Sequence, residues 1–277
     1  MEHSLAPVKE KTENAGRADD GKKDGKKGIS GSTLKLIAII AMFIDHTGAI
    51  IIERMLMEAV KEGTNLTMLA GLGTLDMVLR LTGRLGFPIF CYLLIEGFQY
   101  TKNVWKYAGR LFLFALVSEV PFDLGFTGSP FYLEYQNVFF TLFIGLLVLI
   151  GFRLAEEKTG GNRVIRILLS LLVLAAGAGA AQLLKTDYAA TGVLTIAVMY
   201  ICRRKKMLET GLGCAVLTVM NPIEITAFFV MIPVHMYNGK RGWNIKWLFY
   251  AFYPLHILLL YGIACALGLG QVMLRLG

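Results

Sequence analysis

The sequence predicts an all-α polytopic membrane bundle of about nine helices (eight to ten), with the N-terminus in the cytoplasm. Three observations carry that prediction. The 277 residues are 55% hydrophobic and only 17% charged, with a mean hydropathy of +0.58, whereas soluble domains carry roughly 25% charged residues. The first 33 residues hold 13 of the 48 charged side chains, leaving 35 for the other 244. Those 35 sit in clusters separated by apolar runs close to the ~20 residues a helix needs to cross hydrocarbon. A soluble fold of this composition would expose far too much apolar surface. A cytosolic enzyme, a secreted disulfide scaffold and a disordered chain are thereby excluded.

Residues 1–33 mix Lys, Asp, Glu, Gly and Ser. Such a segment cannot offset its ordering entropy, so it is expected to be a disordered cytoplasmic tail, with residues 34–277 as one membrane domain. No short apolar core with a small-residue cleavage site marks a secretory signal. Apolar spans are expected near 34–52, 83–100, 107–126, 137–153, 164–184, 188–202, 208–220, 223–236 and 247–269. The pair 208–220 and 223–236 is short, which suits a tilted hairpin or a re-entrant segment turning at Asn221-Pro222. The stretch 64–82, broken by Asp76 and Arg80, reads as an interfacial helix or a tenth span. With the tail inside, 22 of the 28 Lys and Arg residues fall on cytoplasmic segments, which supports nine crossings with that orientation. The net charge of +8 therefore reports topology, and no nucleic-acid partner is expected. Cys91, Cys202, Cys214 and Cys265 lie in apolar runs without paired spacing, so neither disulfides nor a metal site are expected. No internal repeat of the inverted-transporter kind is evident.

A charge inside a span costs several kcal/mol on most scales, so each marks a candidate site. Asp45-His46 interrupts the first span roughly 16–18 Å from its inner end. Being adjacent, the two point about 100° apart, so each should meet a different neighbouring helix. Arg84 opens the second span, followed by Pro88, and Glu96 sits nearer its inner end. Glu119 and Asp123 share a helix face unless Pro121 separates them. Gln136-Asn137 and Asp187-Tyr188 open the fourth and sixth spans at the outer level. On the inner side, Tyr237-Asn238-Gly239-Lys240-Arg241-Gly242 is a turn-rich basic loop suited to a phosphate or to acidic headgroups. Tyr253 and His256 lie in the last span, His256 roughly 13 Å from its inner end and level with His46. Gly177 and Gly179, in an Ala-rich run, read as tight helix packing. Neither a phosphate-binding Gly-Lys-Ser loop nor a His-Glu-x-x-His helix occurs.

The segments LKLIAIIAMFIDHTGAI, GRLGFPIFCYLLIEGF, LVSEVPFDLGF, QNVFFTL, DYAATGVL, YNGKRG and FYPLH resemble the TraX family, in its order and over nearly the whole chain from residue 34. The founding member of that family N-acetylates a pilin subunit, and the family is considered related to the integral-membrane acyltransferases. The resemblance implies a multispanning bacterial plasma-membrane acetyltransferase that uses acetyl-CoA. Its motif positions here are Asp45, His46, Arg84, Glu96, Glu119, Asp123, Gln136, Asn137, Asp187, Tyr188, Asn238, Tyr253 and His256.

Chemistry suggests the roles. His46 is the expected general base, oriented by Glu119, Asp123 or Asp45, with Arg84 or His256 stabilising developing charge. Tyr237, Asn238, Lys240, Arg241 and Tyr253 are expected to bind acetyl-CoA. Glu96, Gln136, Asn137, Asp187 and Tyr188 are expected to receive the acceptor, whether a pilin-like peptide, a glycan or a membrane lipid. A proton-coupled transporter and a non-catalytic assembly factor are the alternatives. A transporter would also require Asp45, Glu96 and Glu119 in its core, whereas an assembly factor would tolerate loss of His46.

Overall fold

A computed structural model of the chain describes residues 28–243 and 246–270. The charged segment 1–27 and residues 271–277 lie outside the described residues. Within them the chain is helical apart from turns and two isolated bridges, Ile29 with Tyr237 and Gln136 with Thr186. The all-α bundle expected from composition is thus the fold observed.

Helix α1 (Gly31–Thr47) starts three residues before the apolar run, because Ser30 caps it. The Ser30 hydroxyl accepts the Thr33 amide at 3.3 Å. The amides of Gly31 and Ser32 donate to the carbonyls of Lys240 and Arg241 at 2.8 and 3.0 Å, so the end of α1 leaves few donors unpaired. A π-helical turn, Gly48–Ile52, carries α1 into α2 (Glu53–Lys61). Together they form a rod of 31 residues, about 46 Å long at 1.5 Å per residue, so its charged outer end must project beyond hydrocarbon about 30 Å thick.

The second pass matches that length. Asn65 caps α3 (Leu66–Gly83), accepting the Met68 amide at 2.9 Å. Helix α3 runs back along α2, the π turn and the outer half of α1. After a break at Arg84-Leu85, α4 (Gly86–Tyr100) continues down the inner half of α1. Residues 64–82 are therefore neither an interfacial helix nor a tenth span. They form the outer half of the second pass, which covers 66–100 rather than 83–100. The expectation failed because Asp76 and Arg80 look like interfacial charges, whereas Arg80 is neutralised by a carboxylate on α1.

The remaining passes follow in order. Helix α5 (Val104–Thr127) rises and α6 (Val138–Lys158) descends, then α7 (Arg163–Leu183), α8 (Ala189–Cys202) and α9 (Lys206–Met220) alternate. A 3-10 helix, Pro222–Val230, runs into α10 (Met231–Met236), with Asn221 capping at the turn. At about 2.0 Å per residue in the 3-10 part, these 15 residues span about 27 Å. That extension explains how so short a segment makes a full pass instead of re-entering. Helix α11 (Lys246–Ala266) rises parallel to α1, with ladder contacts Lys35–Phe249, Phe43–Phe252, His46–His256 and Arg54–Tyr261. The described residues thus make nine passes, and five helical segments are long and apolar enough to cross a membrane.

The core lies where α1, α4, α5, α6, α8 and α11 meet, around Ile50, Ile89, Ile95, Phe98, Phe122, Leu146 and Ile196. Glycines bring helices close at several crossings, Gly177 against Val148 among them, while Gly179 faces open space. Helix α7 buries only Ala181 and presents its leucines outward, as expected of a lipid-facing helix.

Single cysteines replacing Lys102 and Glu134, both exposed, should react with a membrane-impermeant maleimide from opposite faces of sealed vesicles. Labelling of both from the same face would contradict this topology.

Candidate functional site

His46 and Asp45 leave α1 in different directions, as adjacent helical residues must, and each is met by a different helix. His46 turns towards α11. Its Nδ1 lies 2.7 Å from His256 Nε2, and the two rings are nearly parallel, 10° apart. Both histidines are buried. Phe126 meets His46 edge-on at 5.3 Å and Tyr253 does so at 6.1 Å, while Phe252 stacks on His256 at 4.7 Å.

These contacts fix the protons. His256 Nδ1 lies 2.8 Å from the Phe252 carbonyl, which only accepts, so that nitrogen carries hydrogen. Burying a charge without an opposing one is costly, and among the described residues no carboxylate bonds to either ring. With both imidazoles neutral, His256 Nε2 is an acceptor and His46 Nδ1 must donate to it. The lone pair of His46 then resides on Nε2. The chain of bonds leaves one buried imidazole with its basic nitrogen available.

Asp45 turns towards α3. Its two oxygens accept from Arg80 at 2.6 Å and Arg84 at 2.9 Å. Arg84 also donates to Glu224 at 2.9 Å and, through Nε, to the Arg80 carbonyl at 3.1 Å. Thr226 ties the same 3-10 segment to the end of α3 by donating to the Leu81 carbonyl at 2.7 Å. Gly83 is required here, because a Cβ at that position would overlap the Asp45 carboxylate. Two cations and two anions thus clamp α1, the end of α3 and the 3-10 helix at the break between α3 and α4.

Below the histidines, a cavity of about 630 Å³ opens towards the inner end. Lys35, Arg110, Gly239 and Arg241 line it towards its inner mouth, Glu96 and Tyr237 its flank, and Met42, Val138, Phe139 and Tyr253 its deep end. It stops one helical turn short of His46, at the Tyr253 ring. The wall is largely apolar, with cations towards the basic loop. Such a passage suits a long, mostly uncharged chain carrying an anionic head.

The sequence profile of the TraX protein family matches residues 30–264, most of the chain. The chain belongs to the TraX family. A probable fimbrial assembly protein FimC, serogroup H1, from Dichelobacter nodosus is 29% identical over 248 residues, covering 84% of this chain and 94% of that protein. No solved structure matches.

Within this TraX chain the expected site residues divide into three places. His46, His256 and Tyr253 converge at the centre. Tyr237, Asn238, Lys240 and Arg241 form the inner loop, where Asn238 Oδ1 accepts the Lys240 amide at 2.9 Å and the Tyr237 hydroxyl donates to Glu96 at 3.2 Å. Glu96 therefore lies by the inner cavity, at the inner end of its span as expected, and apart from Gln136, Asn137, Asp187 and Tyr188, with which it was grouped as an acceptor residue. At the outer end, Asp187 accepts from the Tyr135 hydroxyl at 2.8 Å, and Tyr188 stacks on Phe87 at 3.8 Å. Gln136 bridges to the Lys185–Asp187 turn through its backbone. Asn137 is fully buried and caps α6, with its Nδ2 donating to the Ala115 carbonyl at 2.8 Å and to Glu119.

The expected orienting carboxylate is corrected by this geometry. Asp45 is held by two arginines, Glu119 by Asn137, and Asp123 by the Tyr132 amide at 2.8 Å. The group bonded to His46 is His256. Arg84, expected as a charge stabiliser, instead has its donors committed to Asp45, Glu224 and a carbonyl. Arg80, Glu224 and Tyr135 were not anticipated as site residues. The spacing of Arg80 and Arg84, two cations one turn apart in an apolar stretch, was the available signal that carboxylates must face them.

Arg84 and Glu224 side chains are only 12% and 3% exposed, so removing one partner strands a buried charge. Arg84→Met should lower stability by about 3–5 kcal/mol in thermal denaturation of detergent-solubilised protein. Gly83→Ala should lower the melting temperature by displacing Asp45. Gly73→Ala, facing open space, should leave it unchanged or raise it.

Proposed function

We propose that this protein is an integral-membrane acetyltransferase. It moves acetyl from cytosolic acetyl-CoA to an amine or hydroxyl on a membrane-associated or extracytoplasmic acceptor: a pilin-like peptide, a glycan or a lipid. The observation that carries this reading is the His46–His256 pair, placed just beyond the blind end of a cavity that opens at the basic loop.

The residues fit the donor. Lys35, Arg110 and Arg241 set positive charge along the cavity towards its mouth, where an anionic 3′-phospho-ADP head is favoured. The apolar walls accept a pantetheine arm. At the deep end Tyr253 separates the cavity from His46. In the reaction the acceptor nitrogen or oxygen bonds to the thioester carbon while its proton passes to His46 Nε2. Collapse of the tetrahedral adduct re-forms the carbonyl and breaks the carbon–sulfur bond. The proton on His46 then passes to the departing thiolate, releasing CoA as the thiol and restoring neutral His46. His256 positions the imidazole and stabilises its charged form by sharing the Nδ1 proton, a part that a carboxylate plays in other triads. Inner entry for the donor and outer entry for the acceptor would carry acetyl across the membrane.

The similarity to a probable fimbrial assembly protein suits either an enzyme acting on a pilin or a non-catalytic scaffold. His46→Ala separates them. With labelled acetyl-CoA and a panel of acceptors, the variant should lose transfer by at least ~100-fold while still binding acetyl-CoA in equilibrium dialysis. Absence of transfer and of acetyl-CoA binding by the wild-type protein would overturn the enzyme reading.

A further inference from the structure

Transfer from a thioester places negative charge on the carbonyl oxygen, and a preorganised donor there is commonly the largest single catalytic contribution. The two groups expected to supply it are already committed. Arg84 gives its donors to Asp45, Glu224 and the Arg80 carbonyl. His256 spends one nitrogen on the Phe252 carbonyl and the other on His46.

One other donor stands at the right place. Tyr253 is buried and lines the deep end of the cavity, and its hydroxyl oxygen faces the Val138 backbone amide while its own hydrogen meets no acceptor among the described residues. The hydroxyls of Ser118 and Thr159 are also buried without partners, but neither lines that cavity. The Tyr253 ring is held edge-on by Phe139 at 5.0 Å, by His256 at 5.7 Å and by His46 at 6.1 Å. Its direction is therefore set by packing together with the Val138 amide. A buried hydroxyl hydrogen left without an acceptor costs free energy. A ligand carbonyl at the deep end of the cavity would take that hydrogen.

We infer that Tyr253 is a catalytic residue whose hydroxyl donates to the thioester carbonyl oxygen of the acyl donor, binding that oxygen more strongly as it becomes an oxyanion. The inference rests on the acetyltransferase reading and adds the oxyanion donor to it. When the acceptor bonds to the carbonyl carbon, the carbonyl π pair moves to oxygen under the Tyr253 hydroxyl. When the carbon–sulfur bond breaks, that pair returns and the hydroxyl keeps its own proton. Tyr253 thus orients and stabilises, and His46 moves the proton.

Tyr253→Phe tests this in the full-length protein in detergent. CoA thiol release from acetyl-CoA is followed with a chromogenic thiol reagent, using whichever acceptor gives the highest wild-type rate, water included. The expected result is a fall in kcat of ~100-fold or more with KM for acetyl-CoA within about twofold. The melting temperature should fall by no more than about 5 °C, the one intramolecular bond lost being that from the Val138 amide. A variant retaining at least half the wild-type kcat overturns the assignment while leaving the acetyltransferase reading intact. A fall in kcat accompanied by a melting temperature lowered by more than about 5 °C overturns it in favour of a packing role. If the wild-type protein neither binds nor turns over acetyl-CoA, both readings fall together.

Discussion

Asp45 sits between two guanidinium groups inside an apolar bundle, and the arrangement of the central helices follows from that demand for neutrality. An unpaired arginine within hydrocarbon is costly on every scale, so α3 must keep Arg80 and Arg84 against α1 at the level of residue 45. Glu224 completes the balance from the 3-10 segment. The absence of a side chain at Gly83 lets the two helices approach. Once Asp45 is committed to α3, the next residue can only project elsewhere, and helical geometry sends His46 towards α11. The π turn that begins at Gly48 follows directly, a local irregularity of the kind that often accompanies functional sites.

From that placement the site builds in one direction. Helix α11 offers His256, whose own orientation is fixed by the Phe252 carbonyl of its preceding turn. The ring of Tyr253 closes the inner cavity just below. Charges that hold the bundle together lie on the outer side of the histidines, and the cavity with its cationic approach lies on the inner side. The separation keeps the structural ion pairs from competing with whatever enters the cavity. It also explains why the carboxylates are poor candidates for activating His46: Asp45 is bonded to two arginines, Glu119 to Asn137 and Asp123 to the Tyr132 amide.

Much of this was legible in the sequence. Charge scarcity and the placement of Lys and Arg specified a nine-pass helical bundle, and equal depth brought His46 and His256 to one level. Adjacency on a helix foretold that Asp45 and His46 would serve different neighbours. Pairing was less legible. Nothing in one sequence says whether an intramembrane histidine will find a carboxylate or a second imidazole, because the choice depends on which helices touch. The second pass was misjudged at its outer half for a similar reason: Arg80 resembles an interfacial residue until Asp45 is placed beside it. Asn137 looked like a ligand-binding polar residue, whereas its buried side chain caps α6 and holds Glu119. The short pass at 222–236 was legible as a turn at Asn221-Pro222. Its length was not, because apolar pattern does not distinguish a 3-10 stretch from an α-helix.

The central claim is that the fold holds His46 as a neutral imidazole with hydrogen on Nδ1 and a lone pair on Nε2. Nitrogen-15 NMR of histidine-labelled protein in lipid measures this directly, with His46→Gln and His256→Gln used to assign the resonances. The account predicts protonated Nδ1 and unprotonated Nε2 for His46, with a hydrogen-bond coupling from His46 Nδ1 to His256 Nε2. A His46 signal showing hydrogen on Nε2 and a bare Nδ1 would contradict it.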